Sequence, residues 1–258
     1  MEQSALFATY PSLRGRIVVI TGGASGIGEA IVEAFAMQKA QVAFLDIDDD
    51  AATKLGARLA VAGGPEPVYY HCDLTSVPEA QSTVRSILQK FGTVDVLINN
   101  AGNDMRHKID EVTPEFWDKT FAVNLRHQFF ISQAAIPSMR KARRGSIINM
   151  SSIGWVVPST NQVVYVTAKA AVVGMTRTLA HELGADNIRV NCIMPGWILT
   201  ERQQRLWLTE ANRTHVLANQ ALKRMIMPDE VARLALFLAA DDSSAITNQS
   251  YVIDAGWV

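Results

Sequence analysis

A chain of 258 residues, 48% hydrophobic and 19% charged, can bury a large core and falls in the size range of one α/β domain. Its 24 basic and 25 acidic residues leave a net charge of −1, which gives no bulk attraction to nucleic acid or to anionic lipid. Residues 1–15 hold no apolar run long enough for a signal peptide, no later stretch reads as a membrane span, and Cys72 and Cys192 stand isolated beside apolar runs, so the expectation is a cytoplasmic protein with two buried thiols, no disulfide and no metal.

In chain order, the apolar runs RIVVIT (16–21), VAFLDI (42–47), PVYYHC (67–72), VDVLIN (94–99), SIINMS (146–151), IRVNCI (188–193) and a short final QSYVID alternate with segments of helical period. Near-continuous apolar strands separated by helices are covered on both faces, which predicts an α/β fold with a doubly wound, mostly parallel sheet in one domain over 1–258. The stretch AVAGGPEP (60–67) reads as a loop before the third strand. Residues 197–227 interrupt the alternation and read as helices over the cleft, a mobile substrate lid. In such sheets ligands bind beyond the carboxyl ends of the strands.

The first strand runs into Thr21-Gly22-Gly23-Ala24-Ser25-Gly26-Ile27-Gly28, ahead of the helical segment EAIVEAFAMQ. Glycines at 22, 26 and 28 let the backbone turn tightly and approach a pyrophosphate held by helix N-terminal amides; taken alone, the same turn is also a plain strand-to-helix connection. Asp46 ends the second run, where a carboxylate accepts hydrogen bonds from a ribose and repels a 2′-phosphate. With no Arg or Lys at Ser25 or Ile47 to offset that repulsion, NAD is favoured over NADP. The other reading makes Asp46 the start of the solvated run DIDDD. Asp73 after the third run suits either the adenine amino group or a turn or helix cap. In Asn99-Asn100-Ala101-Gly102 the small residues admit an adenosine and the amides can tie neighbouring strand ends, although Asn and Gly are also ordinary turn residues.

Tyr165 and Lys169 stand at i and i+4 in VVYVTAKAAVVGM, which places phenol and ammonium on one helix face. A nearby positive charge favours the phenolate, so the pair predicts a tyrosine base with a lowered pKa, and Ser152 after the fifth run is placed to hold the reacting oxygen. The competing reading is an exposed lysine beside a half-buried tyrosine.

TGGASGIG, NNAG, Ser152 and YVTAK occur in one order with coherent spacing, and together they resemble the short-chain dehydrogenase/reductase family over essentially the whole chain. The resemblance implies a seven-stranded Rossmann sheet and a tetrad of Asn124, Ser152, Tyr165 and Lys169, with the family spacing selecting Ser152 over Ser151. It also implies a cofactor set in which Ile27 and Leu74 join the residues above, and in which Pro195-Gly196-Trp197-Ile198-Leu199-Thr200 meets the nicotinamide carboxamide through the Ile198 backbone and the Thr200 hydroxyl. Lys169 is then expected to bind nicotinamide ribose as well, and Asn124 to hold a proton-relaying water. Ala168 departs from the serine common before the lysine, without touching the tetrad.

More narrowly, YPSLRGRIVVITGG, NNAGNDMRHK, NLRH, SIGW and DAGW are similar to the bacterial NAD-dependent D-xylose 1-dehydrogenase branch of the family. That implies oxidation of an aldose at its anomeric carbon to an aldonolactone. For the sugar, topology offers Asn103, Asp104, His107, Trp155, Asn161 and Gln162, with Asp104, His107 and Trp155 preferred and the lid around Trp197 and Arg202 held in reserve. Arg126 and His127 point in different directions from one helix and are read as interface residues, in keeping with the family's common homotetramer. The alternatives are the same machinery on another secondary alcohol, a polyol, a steroid or a 3-oxoacyl thioester, or an NAD-binding sensor or scaffold without turnover.

Overall fold

Every residue of β1 (Ile17–Thr21) is buried, because a strand with parallel neighbours on both sides and helices on both faces has no solvent edge. The computed structural model describes residues 7–62 and 65–258. After β1 come α1 (Gly26–Met37), β2 (Gln41–Asp46), α2 (Asp49–Ala62), β3 (Val68–His71), α3 (Val77–Phe91) and β4 (Val96–Asn99). The second half holds α4 (Pro114–Phe121), α5 (His127–Ala142), β5 (Gly145–Met150), α6 (Val163–Leu183), β6 (Ile188–Pro195), α7 (Glu201–Leu206), α8 (Glu210–Asn219), α9 (Pro228–Ala239) and β7 (Ser250–Ile253). The seven strands form one sheet in the order β3-β2-β1-β4-β5-β6-β7, and every pairing is parallel.

Each apolar run of the sequence lands on a strand, and the chain reverses direction across the sheet between β1 and β4. One apolar layer packs Ile31, Val32 and Phe35 of α1 and Val231, Ala235 and Leu238 of α9 on the sheet; the other packs Val84 and Ile87 of α3, Ile131 and Met139 of α5 and Leu179 of α6. Local signals set the helix ends. Ser76 and Thr113 cap α3 and α4 by accepting the backbone N–H of Glu79 and Phe116, and α3 stops at Gly92 in a left-handed conformation (φ 80°).

Three details differ from the sequence reading. Helix α2 continues to Ala62, so the loop expected at 60–67 is shorter, and Gly63 and Gly64 lie outside the described residues, as does the start of the N-terminal stretch. The one helix expected to carry Arg126 and His127 is interrupted by a π turn at Ala122–Arg126, in which the His127 N–H donates to the Ala122 carbonyl five residues back. The segment Val163–Asp186 is long and apolar enough to cross a membrane by length and composition, with a mean hydropathy of 1.2. It packs on β6 and carries a buried lysine, as a core helix of an α/β layer does.

Candidate active site

The carboxyl ends of the strands open into a cleft of about 2130 Å³, whose lining includes Gly22, Asp46, Asn100, Ser152, Tyr165 and Thr200. Its floor is the topological break between β1 and β4. There the Asn100 amide donates to the carbonyls of Thr21 and Gly22, both at 3.0 Å, and the Asn99 amide donates to Asn149 at 2.8 Å, so side-chain amides lace the strand ends together.

The glycine-rich turn is a cradle that side chains would fill. A Cβ on Gly28 would lie 1.8 Å from the Gly22 carbonyl oxygen, and one on Gly22, which has φ 64°, would lie 2.8 Å from Ala101 Cα. Asp46 supports this turn from the adjacent strand by accepting the Ala24 N–H at 2.9 Å, and its other oxygen accepts the Ile47 N–H at 2.8 Å. Asp73 forms a tight turn, accepting both the backbone N–H and the hydroxyl of Thr75 at 2.8 Å, and Ser76 rather than Asp73 caps α3. Ser25, Gly26, Ile27, Leu74, Ala101, Gly102, Pro195, Gly196, Ile198 and Thr200 line the same cleft. An open glycine cradle at a helix N-terminus, an acidic strand end beyond it and small residues between them fit an adenine dinucleotide.

Further along the cleft, the Ser152 hydroxyl accepts the Gly154 N–H at 3.0 Å and hydrogen-bonds the Tyr165 phenol. The Ser151 hydroxyl is turned away and donates to the Lys169 carbonyl at 2.6 Å. Lys169 is buried, its ammonium donating to the Met150 carbonyl at 2.9 Å and lying 5.8 Å from the centre of the Tyr165 ring. Burial pushes the lysine down to about 8. Tyr165 runs against the sequence expectation. Burial and the Asp104 carboxylate push its pKa up to about 12, and the influences that oppose them are the Ser152 hydrogen bond and the Arg202 charge, not Lys169. The chain by itself therefore holds Tyr165 as a neutral phenol.

Asn124 is fully buried and occupied by protein. Its Oδ1 accepts the Asn103 N–H at 2.9 Å and its Nδ2 donates to the carbonyls of Asn103 and Thr120, both at 3.0 Å. Both polar ends of the side chain thus serve the backbone of the loop after β4. Gly102 is pressed against this pair, since a Cβ there would lie 3.1 Å from both Asn124 Oδ1 and Lys169 Nζ.

Of the residues proposed for the sugar, Asn103, Asp104, Ser152, Gln162 and Trp197 line the cleft with Tyr165, whereas His107, Trp155 and Asn161 do not. His107 is buried edge-on against Phe116 at 4.7 Å, and Trp155 sits on an exposed single turn. His127 is not an interface residue: it is wholly buried, and burial together with the charge of Lys169 drives its pKa down to about 3, so it stays neutral. Arg126, in contrast, is exposed and donates to the Thr75 carbonyl.

What the sequence reading did not anticipate is how α7 closes the cleft. Arg202 forms an ion pair with Asp104 and donates to Asn103 Oδ1 at 2.9 Å, while Gln203 donates to the second Asp104 oxygen at 2.7 Å and accepts the Trp197 indole N–H at 2.6 Å. The sequence signal was the polar run ERQQR directly after the Trp197-Ile198-Leu199-Thr200 stretch. Replacing Asp104 by Ala removes the anchor of both α7 side chains, and KM for a polar ligand in this part of the cleft is expected to rise about 5- to 10-fold, the scale of one charged hydrogen bond in a partly exposed site, with dinucleotide affinity unchanged. Steady-state kinetics beside calorimetric NAD titration check this.

A family model described as Enoyl-(Acyl carrier protein) reductase matches residues 22–258. Among known proteins, the D-xylose 1-dehydrogenase of Caulobacter vibrioides (strain NA1000 / CB15N) is 49% identical over 97% of this chain and 98% of its own length. The chain belongs to the short-chain dehydrogenase/reductase family. A protein of Rhizobium meliloti (strain 1021) named as a galactose dehydrogenase is 46% identical over 96% of each chain. A solved structure described as a short-chain alcohol dehydrogenase of Sinorhizobium meliloti 1021 superposes with a TM-score of 0.91 at 30% identity, over 96% of this chain and 98% of that one. Membership makes the protein an oxidoreductase of a family that uses a nicotinamide dinucleotide. Among the described residues no group of three His, Cys, Asp or Glu is placed to hold a metal ion.

Proposed function

We propose that this short-chain dehydrogenase oxidises the anomeric hydroxyl of a cyclic aldose, such as D-xylose, L-arabinose or a related hexose, to an aldonolactone with NAD. The observation that carries the reading is the meeting in one cleft of the Ser152–Tyr165 hydrogen bond with a polar wall of Asn103, Asp104, Arg202 and Gln203, which suits a polyhydroxylated ligand better than an apolar one. The relatives named for xylose and galactose point the same way.

NAD, when bound, supplies the hydride acceptor and a positive charge beside the reacting carbon. Tyr165 takes the proton from the anomeric oxygen while Ser152 holds that oxygen by its hydroxyl. The ammonium of Lys169 would stabilise the phenolate as it forms and would hold the nicotinamide ribose. Asn124 holds the loop carrying Asn103 and Asp104 at the correct height over the tyrosine. Asp46, without a basic residue at Ser25 or Ile47, favours NAD; the one arginine of α2 lining the cleft, Arg58, is engaged by Glu29 at 2.7 Å and Glu33 at 3.2 Å. Exposed apolar side chains at Trp117, Phe129 and the edge-strand residue Val252 support assembly into a homotetramer, and a cytoplasmic location accords with a soluble sugar substrate.

A panel of aldoses, polyols, simple secondary alcohols and a 3-oxoacyl thioester, each with NAD and NADP and read by absorbance of the reduced cofactor, tests the proposal. Turnover of one or more aldoses with NAD at a higher kcat/KM than any other member is the expected result. Preference for a thioester, or for NADP, would replace the reading.

A further inference from the structure

Gln128 lies one turn beyond Asn124, on the sheet-facing side of α5, and it is fully buried. Its amide nitrogen donates to two carbonyls, that of Asn124 at 3.2 Å and that of Met150 at 3.3 Å. The Met150 carbonyl is also the acceptor of the Lys169 ammonium at 2.9 Å. One buried amide therefore touches the backbone of one tetrad residue and shares an acceptor with the side chain of another. From this convergence we propose that Gln128 is a positioning residue of the catalytic centre, fixing the π turn at Asn124 and the seat of Lys169 as one unit.

The hydrogen-bond inventory shows which end of the amide matters. Gln128 Oε1 is buried with no partner among the described residues, a situation that costs free energy in any fold. Flipping the amide would aim this oxygen at two carbonyl oxygens and leave both donors unused, so the orientation is dictated by the two acceptors. A residue that only filled space here would cost less as Leu or Met. The π turn supplies the need for a donor, since a helix that changes hydrogen-bond spacing at Ala122–Arg126 must have its local carbonyls satisfied by other means. The Met150 carbonyl, at the end of β5, faces both Gln128 and Lys169, so a second donor on it limits how strongly it draws the ammonium and fixes the direction from which the ammonium approaches.

The titratable groups around this seat are Lys169 on α6, His127 on α5, Cys192 on β6 and Asp104 on the loop after β4. His127 is held neutral down to about 3, and burial pushes the Cys192 thiol up to about 11. Neither changes charge across the working range, whereas Lys169, near 8, does so in wild type and variants alike, so each variant is read as a ratio to wild type at the same pH.

The inference rests on the Tyr165–Lys169 reading of the site, and the experiment separates the two. Wild type, Tyr165→Phe, Gln128→Leu and Gln128→Glu are assayed for kcat with D-xylose and NAD from pH 6 to pH 10, each normalised to NAD-binding sites by calorimetry. A protonated glutamic acid can donate one hydrogen bond to these carbonyls, whereas a carboxylate can donate none and competes for Lys169, and burial raises the pH at which it ionises. The expected result is a Gln128→Glu to wild-type ratio that is highest at low pH and falls by about 10-fold or more as pH rises, beside a Gln128→Leu ratio that is low, about one tenth at neutral pH, and does not fall as pH rises. A flat Gln128→Glu ratio, or a Gln128→Leu enzyme with wild-type kcat, overturns the assignment while leaving the tetrad intact. Wild type inert on every aldose, or Tyr165→Phe as fast as wild type, overturns the site reading instead. If Gln128→Leu does not fold, the more nearly isosteric Gln128→Met takes its place with the same expectation, and the Gln128→Glu ratio decides alone if neither folds.

Discussion

Replacing Tyr165 by Phe is expected to cut aldose turnover by at least ~10²-fold, the ordinary cost of losing a general base, while NAD still binds. The ring fills the same space without its hydroxyl, so the packing of α6 is kept and the loss reports chemistry. Two groups lose a partner: Ser152, which hydrogen-bonds the phenol, and the substrate oxygen itself. The position of the phenol's ionisation sharpens the expectation. Burial and Asp104 hold it up at about 12, with the Ser152 hydrogen bond and Arg202 opposing them, so a tyrosine that acts as a base near neutral pH must be helped further by positive charge that arrives with the cofactor. Asp104→Ala removes a charge that opposes the phenolate, and the apparent pKa for turnover of that variant should move down relative to wild type even as its KM rises. Rapid-mixing measurement of NADH formation against pH in the three enzymes tests both statements together. A Tyr165→Phe enzyme within a few-fold of wild type would refute the base assignment.

The central strands were legible because parallel strands covered on both faces must be apolar at nearly every position; the edge strands β3 and β7, half-buried or exposed along their length, were placed by their turn in the alternation of strands and helices. The glycine cradle was legible because positions such as Gly28, where a Cβ would meet a carbonyl at 1.8 Å, admit no other residue and so mark themselves. The tetrad owed more to resemblance, since a tyrosine and a lysine at i and i+4 are common. What sequence did not show is the direction of side chains in loops, which follow no period. His107 and Trp155 flank the cleft in the chain, yet packing on Phe116 takes one inward and an exposed single turn takes the other outward. The π turn at Asn124 was hidden for a related reason: α4 and α5 keep a helical pattern through the join, and nothing in that pattern records a change from four-residue to five-residue spacing. The latch from Arg202 and Gln203 to Asp104 spans about a hundred residues and could not be read from either segment alone.

Lys169→Met is expected to make the protein more stable and nearly inactive. A lysine pressed down to about 8 from a normal 10.5 holds its charge in the folded state against the cost of burial, which at neutral pH is on the order of 3 kcal/mol. Met has a similar length and no charge to bury. It forfeits the bond to the Met150 carbonyl, so the net gain should be about 1–3 kcal/mol, or roughly 3–10 °C in Tm for a chain of this size. The sign with pH follows from where each state holds the proton. Below about 8 both folded and unfolded chains carry it, and the folded wild type bears the full penalty; between about 8 and 10.5 the unfolded chain binds more protons than the folded one, so wild-type stability rises with pH; above 10.5 both are neutral and the penalty is gone. The Tm advantage of Lys169→Met should therefore be largest at and below pH 7.5 and should shrink steadily towards pH 10.5, a trend read from the difference between the two melting curves so that all other titrations cancel. At and below pH 7.5, where the lysine carries its proton, turnover should fall by ~10² or more, and the loss should shrink above about 8, because the charge that destabilises the fold is the one that steadies the tyrosine's negative oxygen when the proton leaves the sugar. A variant that is less stable than wild type at pH 7 would mean that the seat of Lys169 between Met150, Gln128 and Asn124 favours the charged amine more than burial opposes it.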